Sequence, residues 1–132
     1  MATFEFLVEG PAVSLKAKKT NAARYRKWIR TIRSAAEREW PSDKEPTNSK
    51  RVTVKIVNYY TQAPPDVDNI IKPILDALAT VAYSDDGQVH RVASEKITLR
   101  TDSPIQNQSA LVAAGLEKYS ELLHIVVTWD EE

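Results

Sequence analysis

The chain contains no cysteine, which removes disulfide frameworks and thiolate zinc sites from consideration. It has no apolar run near the ~20 residues that a membrane span requires. Its first residues also lack the basic-then-apolar pattern of a secretory signal. A cytoplasmic protein with no membrane partner is therefore expected. No internal repeat or low-complexity linker divides the 132 residues, a length that suits a single domain, 1–132, with one sizeable core. Net charge is missing as well, since 18 basic residues balance 18 acidic ones. With a sum of zero, the distribution of charge carries the information.

Acid is absent where base is concentrated. From Lys16 to Arg33 there are eight basic residues and no Asp or Glu. Lys16, Lys18 and Lys19 fall in an expected loop. Arg24, Arg26, Lys27, Arg30 and Arg33 ride a helix expected from about Asn21 to Trp40, with Ala22, Tyr25, Trp28, Ile29, Ile32, Ala35 and Ala36 as its inward stripe. Such a run attracts a phosphate backbone by releasing its condensed counterions. Long cationic side chains also commonly do no more than solvate a helix. Tyr25 and Trp28, at helical spacing, read as core rather than as platforms for bases.

Alternation predicts strands at Thr3–Glu9, Arg51–Tyr60, Gln88–Arg100 (with a bulge) and His124–Trp129. Gly10-Pro11 ends the first, and Pro41–Lys50 is a loop rich in turn formers. A short helix is expected over Ser109–Leu123, with Leu111, Val112, Leu116 and Tyr119 inward and Gly115 weakening it. The tail Asp130–Glu132 is expected to be mobile. His90 and His124 read as strand-face residues and receive no role. The fold class that follows is α+β: a single mixed or antiparallel sheet of about four strands with two main helices packed on it.

The remaining stretch, Asp66–Val89, reads DVDNIIKPILDALATVAYSDDGQV. Ile70, Ile71, Ile74, Leu75, Leu78, Val81 and Ala82 recur at helical spacing. They predict a helix of about fifteen residues, roughly 22 Å long, starting near Asn69. Asp68 or Asn69 is the expected N-cap. Pro73 is tolerated only close to the first turn, and Lys72 and Asp76 fall one turn apart on the outer face. If Asp66 and Asp68 end an extended segment, both side chains point to one side of it. Two such carboxylates repel unless a proton or cation lies between them, and Mg²⁺ favours oxygen ligands. Asp85 or Asp86 would add a third. Equally, Asp68 could be only a cap and Asp85-Asp86-Gly87 only a turn.

The ordered set Asp66, Asp68-Asn69, Lys72, Asp76-Ala77-Leu78 and Asp85-Asp86-Gly87-Gln88-Val89 resembles the RusA family of crossover-junction endodeoxyribonucleases. The resemblance covers about a fifth of the chain. It implies a Mg²⁺-dependent homodimer, with Mn²⁺ able to substitute, that hydrolyses phosphodiesters in branched DNA. Four-way junctions would be resolved by paired cuts in recombination and repair. It also implies that Asp66, Asp68 and Asp86 bind the metal, with Lys72 completing the catalytic set. DNA binding is expected at Lys16, Lys18, Lys19, Arg24 and Lys27. Trp40, Tyr59, Tyr60 and Tyr83 are the expected apolar contacts of the dimer. Two other functions share the sequence features: a nuclease for forks or flaps, and a DNA-binding module without catalysis. A helix of 22 Å would hold Asp68 and Asp86 apart. Either the helix is shorter than its pattern, or a partner subunit supplies the third ligand.

Overall fold

Aromatic and branched residues alternating with polar ones draw the first segment into a strand, β1 (Ala2–Glu9), which buries Phe4, Phe6 and Val8 on one face. The computed structural model describes residues 1–99 and 108–131. After β1 come a short helix α1 (Ala17–Thr20), a long helix α2 (Ala22–Glu39) and strand β2 (Val52–Tyr60). A 3₁₀ turn (Val67–Ile70) leads into helix α3 (Ile71–Leu78), and a second 3₁₀ turn (Asp86–Gln88) into strand β3 (Val89–Thr98). Helix α4 (Ala110–Lys118) and strand β4 (Leu122–Trp129) follow. One mixed sheet has the order β1-β4-β2-β3. β4 runs antiparallel to both β1 and β2, and β2 and β3 are parallel. The α+β arrangement expected from the sequence is the one found.

The parallel pair decides where the acidic residues go. Parallel neighbours cannot be joined by a tight turn and need a long crossover. Here that crossover is residues 61–88, which carries α3 and every candidate acid. α2 and α3 lie together on one face of the sheet. Trp28, Ile32, Ala35 and Ala36 of α2 meet Ile74, Ala77 and Leu78 of α3 over Val54, Ile56, Ile125 and Val127. The opposite face has a smaller cluster, in which Val112 of α4 packs with Val57, Tyr59 and Leu122. β2 is therefore buried on both faces in its second half, which is why its alternation fades there.

Several expected boundaries shift, each for a physical reason. α3 has eight residues, about 12 Å of helix, instead of about fifteen. Val81 and Ala82 are buried, as their spacing requires, but in a reversal after the helix. Thr80 takes a left-handed φ of 71°, its N–H donates to Tyr83 O, and Arg33 donates to the carbonyls of Ala77 and Ala79. Neither Asp68 nor Asn69 caps α3, because the 3₁₀ turn precedes it and Ile70 stands at the cap without a side-chain bond. Pro73 does sit in the first turn. Lys18 and Lys19 belong to α1 rather than to a loop.

The helix expected over Ser109–Leu123 is only Ala110–Lys118, with Ser109 as its N-cap. Leu122 and Leu123 pass to β4, and Leu111 is 38% exposed rather than inward. Gly115 has a packing reason: a Cβ there would lie 2.5 Å from Leu7 Cδ1 and 2.8 Å from Leu122 Cδ2. The bulge expected in β3 is a register shift that skips His90 opposite Val52 and Thr53. Arg100, the expected end of that strand, and Glu132 of the tail lie outside the described residues. Within the tail, Asp130 and Glu131 pair with Arg51 and Lys44. Among the described residues, no helix is long and apolar enough to cross a membrane.

Candidate functional site

The crossover begins with a turn that presents two carboxylates. Pro64 and Pro65 hold the approach extended, and Asp66 has φ −60° and ψ 148°. The chain then closes at once into the 3₁₀ turn, with Asn69 N–H donating to Asp66 O. Asp66 and Asp68 are thus the leading residue and second residue of a turn, not alternate positions of a strand. The turn is fastened to the sheet by Ser94 Oγ, which donates to Val67 O at 2.8 Å. Asn69 O also accepts from Leu15 N–H. Both aspartates are exposed, and among the described residues neither side chain has an ion pair or hydrogen bond.

The exit of the crossover is built differently. Asp85 and Gln88 form a capping box about the second 3₁₀ turn. Asp85 Oδ2 accepts from Gly87 N–H at 3.0 Å, and Gln88 Oε1 accepts from Asp85 N–H at 2.9 Å. Gln88 Nε2 then donates to the carbonyls of Thr47 and Ser49, each at 2.8 Å. Asp85 is spent on the turn, so it is Asp86 whose carboxylate projects from it. The sequence signal for Gln88 is the Asp-x-x-Gln spacing of a capping box.

Lys72 joins the two ends. From the first turn of α3 its Nζ lies 2.9 Å from Asp76 Oδ1 and 3.1 Å from Asp86 Oδ2. Asp76 was an expected partner, whereas Asp86, fourteen residues away, was not. Hydrogen bonds to Asp76 and then Asp86 raise the Lys72 pKa above that of an ordinary lysine. A raised lysine pKa keeps the ammonium charged throughout the neutral range, and its pairing fades only at strongly alkaline pH. The shortness of α3 brings Lys72 within reach of Asp86. Among the described residues, however, no three His, Cys, Asp or Glu side chains converge to hold one metal ion. The charge of Asp86 is met by Lys72.

The surroundings are fixed by groups not expected at the site. Tyr83, offered above as a dimer contact, is fully buried and donates its hydroxyl to Leu75 O at 2.7 Å. Burial, reinforced by Asp86, raises its pKa. Tyr59 is also buried, and Trp40 packs on Phe4 and Trp129 within the chain. Tyr83 and Tyr59 are interior residues, whereas Trp40 and Tyr60 both keep partial exposure. Tyr25 and Trp28 are core residues, as their spacing implied. His90 sits against Val52 O at 3.1 Å, and His124 pairs with Glu5 on the far face of the sheet.

The basic run divides in the same way. Lys16, Lys18 and Lys19 are exposed on and just before α1, and Arg24 and Lys27 are exposed on α2. None of the five has an ion pair among the described residues. Arg33, by contrast, is tied to Glu37, Ala79 and Thr80.

A family model described as endodeoxyribonuclease RusA matches residues 11–104. That span holds the basic run, β2 and the whole crossover. No curated protein matches the chain.

Proposed function

The chain belongs to the RusA family of endodeoxyribonucleases, hydrolases that act on branched DNA, and from that premise we propose that it is a Mg²⁺-dependent resolvase of four-way junctions. The observation that carries the reading is the contrast within the crossover. Two carboxylates unpartnered among the described residues, Asp66 and Asp68, stand at its entrance, and a fixed ammonium, Lys72, reaches from the first turn of α3 to Asp86 at its exit.

The donor chemistry fits a hard divalent cation, since Asp66 and Asp68 are exposed oxygen donors with no competing partner among the described residues. Mg²⁺ commonly binds through one or two carboxylates and retains water or substrate oxygens elsewhere. Asp66 and Asp68 would hold it, with Asp86 joining once Lys72 is drawn away. Bound there, the metal would polarise the phosphodiester and lower the pKa of an attacking water. Lys72 places a point charge beside Asp86, already paired and therefore already oriented for a developing negative charge. Asp76 keeps that ammonium anchored if Asp86 lets go of it. Lys16, Lys18, Lys19, Arg24 and Lys27 supply sequence-independent attraction to phosphate, so DNA affinity need not depend on the acids.

We assign a homodimer to the working species. A four-way junction has approximate two-fold symmetry, its resolution takes two cuts, and the sequence contains one acidic motif, so a two-fold pair supplies two sites. The test uses synthetic four-way, forked and linear duplexes with and without Mg²⁺, alongside sedimentation equilibrium. Paired nicks in the four-way substrate alone, lost on chelation, support the reading. Equal cutting of forks would move it to a fork or flap nuclease. Tight junction binding with no metal-dependent cleavage would leave a DNA-binding module.

A further inference from the structure

α2 has two flanks, and only one faces the crossover. Arg33 and Ile29 lie toward α3, where Arg33 grips the carbonyls of Ala77 and Ala79 at the end of that helix. At 100° per residue, Lys27, Thr31, Ser34 and Arg38 fall on the other flank. That flank is the wall of a groove. A hollow of about 580 Å³ between α2, the end of β1 and Tyr119 is lined by Lys27, Arg30, Thr31, Ser34 and Arg38. A second, of about 380 Å³, adjoins it through Lys27 and Thr31 and continues to Arg24 and Gly10.

We propose that this groove is a second track for DNA backbone, which takes an arm of a branched substrate that the Asp66–Asp68 side does not reach. The proposal rests on the branched-DNA reading above and adds Arg30 and Arg38 to the DNA-contacting residues. Four cations, Arg24, Lys27, Arg30 and Arg38, line the two hollows against a single acid, Glu9. None of the four makes an ion pair or side-chain hydrogen bond among the described residues. Cations that merely solvate a helix stand on a convex face, whereas these share a concave one, where the walls concentrate the field. The Thr31 hydroxyl is spent on the Lys27 carbonyl, which leaves the hydroxyl of Ser34 as the neutral donor of the kind that contacts phosphate.

The dimensions agree. Arg24 to Arg38 spans roughly 21 Å of helix, the length of about six base-pair steps along a duplex axis at 3.4 Å each. The Asp66–Asp68 turn leads into α3, which packs on the flank of α2 turned away from this groove. A branched molecule can reach both. The occupant could in principle be another protein strand, since β1 is an edge of the sheet. The excess of positive charge disfavours a second copy of the same groove and favours a polyanion.

The experiment measures binding of a four-way junction and of a linear duplex of the same arm sequence, by fluorescence anisotropy in EDTA across a salt series. Arg30→Gln with Arg38→Gln is compared with wild type, with Lys16→Gln, Lys18→Gln and Lys19→Gln together, and with the charge-preserving pair Arg30→Lys and Arg38→Lys. For the Gln pair, the slope of log K against log salt for the junction should flatten by about 1.8, or 0.9 per lost contact. The slope for linear duplex should not move, and the Lys pair should restore the wild-type junction slope. The triple lysine variant should affect both DNAs alike. An unchanged junction slope, or equal loss on both DNAs in the Gln pair, overturns the groove assignment. So does altered self-association with DNA binding intact, which would mark a protein interface. If wild type shows no preference for the junction, the branched-DNA reading fails and the groove falls with it. Preference in wild type that ignores Arg30 and Arg38 defeats the groove alone.

Discussion

The two ends of the β2–β3 crossover carry the same residue types in opposite conditions. At the entrance, Asp66 and Asp68 are exposed and, among the described residues, unpartnered, on a turn held by its backbone and by the buried Ile70. At the exit, Asp85 is consumed in a capping box, Asp86 is held by Lys72, and Gln88 nails the turn to Thr47 and Ser49. The difference separates charge used to build the molecule from charge left over for a ligand. Satisfied polar groups stabilise their own segment and have little to gain from a partner in solution. An unsatisfied pair of like charges gains the most from a cation.

The largest expected effect breaks the contrast at its free end. Asp66→Asn or Asp68→Asn should abolish cleavage of a four-way junction, a fall of roughly 10³-fold or more. Junction affinity should be kept or increased, because negative charge facing phosphate is removed, and the melting temperature should barely move. Gel-based cleavage beside anisotropy in EDTA reads both. Full cleavage by Asp68→Asn would remove these carboxylates from the site.

Next comes the link between the two ends. Lys72→Met should lower single-turnover cleavage by roughly 10²-fold, while an exposed pairing of this kind changes stability by less than about 1 kcal/mol. Wild-type turnover would make Lys72 a surface pair and nothing more.

Breaking the built end should instead cost stability. Gln88→Ala leaves the Thr47 and Ser49 carbonyls and the Asp85 N–H without their partner, a loss of roughly 1–3 kcal/mol. Urea denaturation without metal measures it, and an unchanged midpoint would show that the turn stands without its glutamine. The smallest effect belongs to Asp76→Asn, where Lys72 keeps Asp86. Stability should shift by less than about 1 kcal/mol, and a larger loss would mean that Asp76 does more than steady the ammonium.

What the sequence determined by itself was whatever depends on local periodicity and near-neighbour spacing. β1 and the first half of β2 follow from alternation, and α2 from its inward stripe of Tyr25, Trp28, Ile32 and Ala36. The Lys72–Asp76 pair follows from one helical turn. The family was legible in the spacing of Asp66, Asp68, Lys72 and Asp86. The length of α3 was not, because hydrophobic spacing reports burial rather than hydrogen-bond path, and Val81 and Ala82 are buried without being helical. Tertiary structure decided that end, through Arg33 on the carbonyls after α3. It likewise decided that Lys72 meets Asp86, and which flank of α2 keeps its cations free. Each depends on groups far apart in the chain. Such groups acquire a distance only when the parallel pairing of β2 and β3 folds the crossover back onto the sheet.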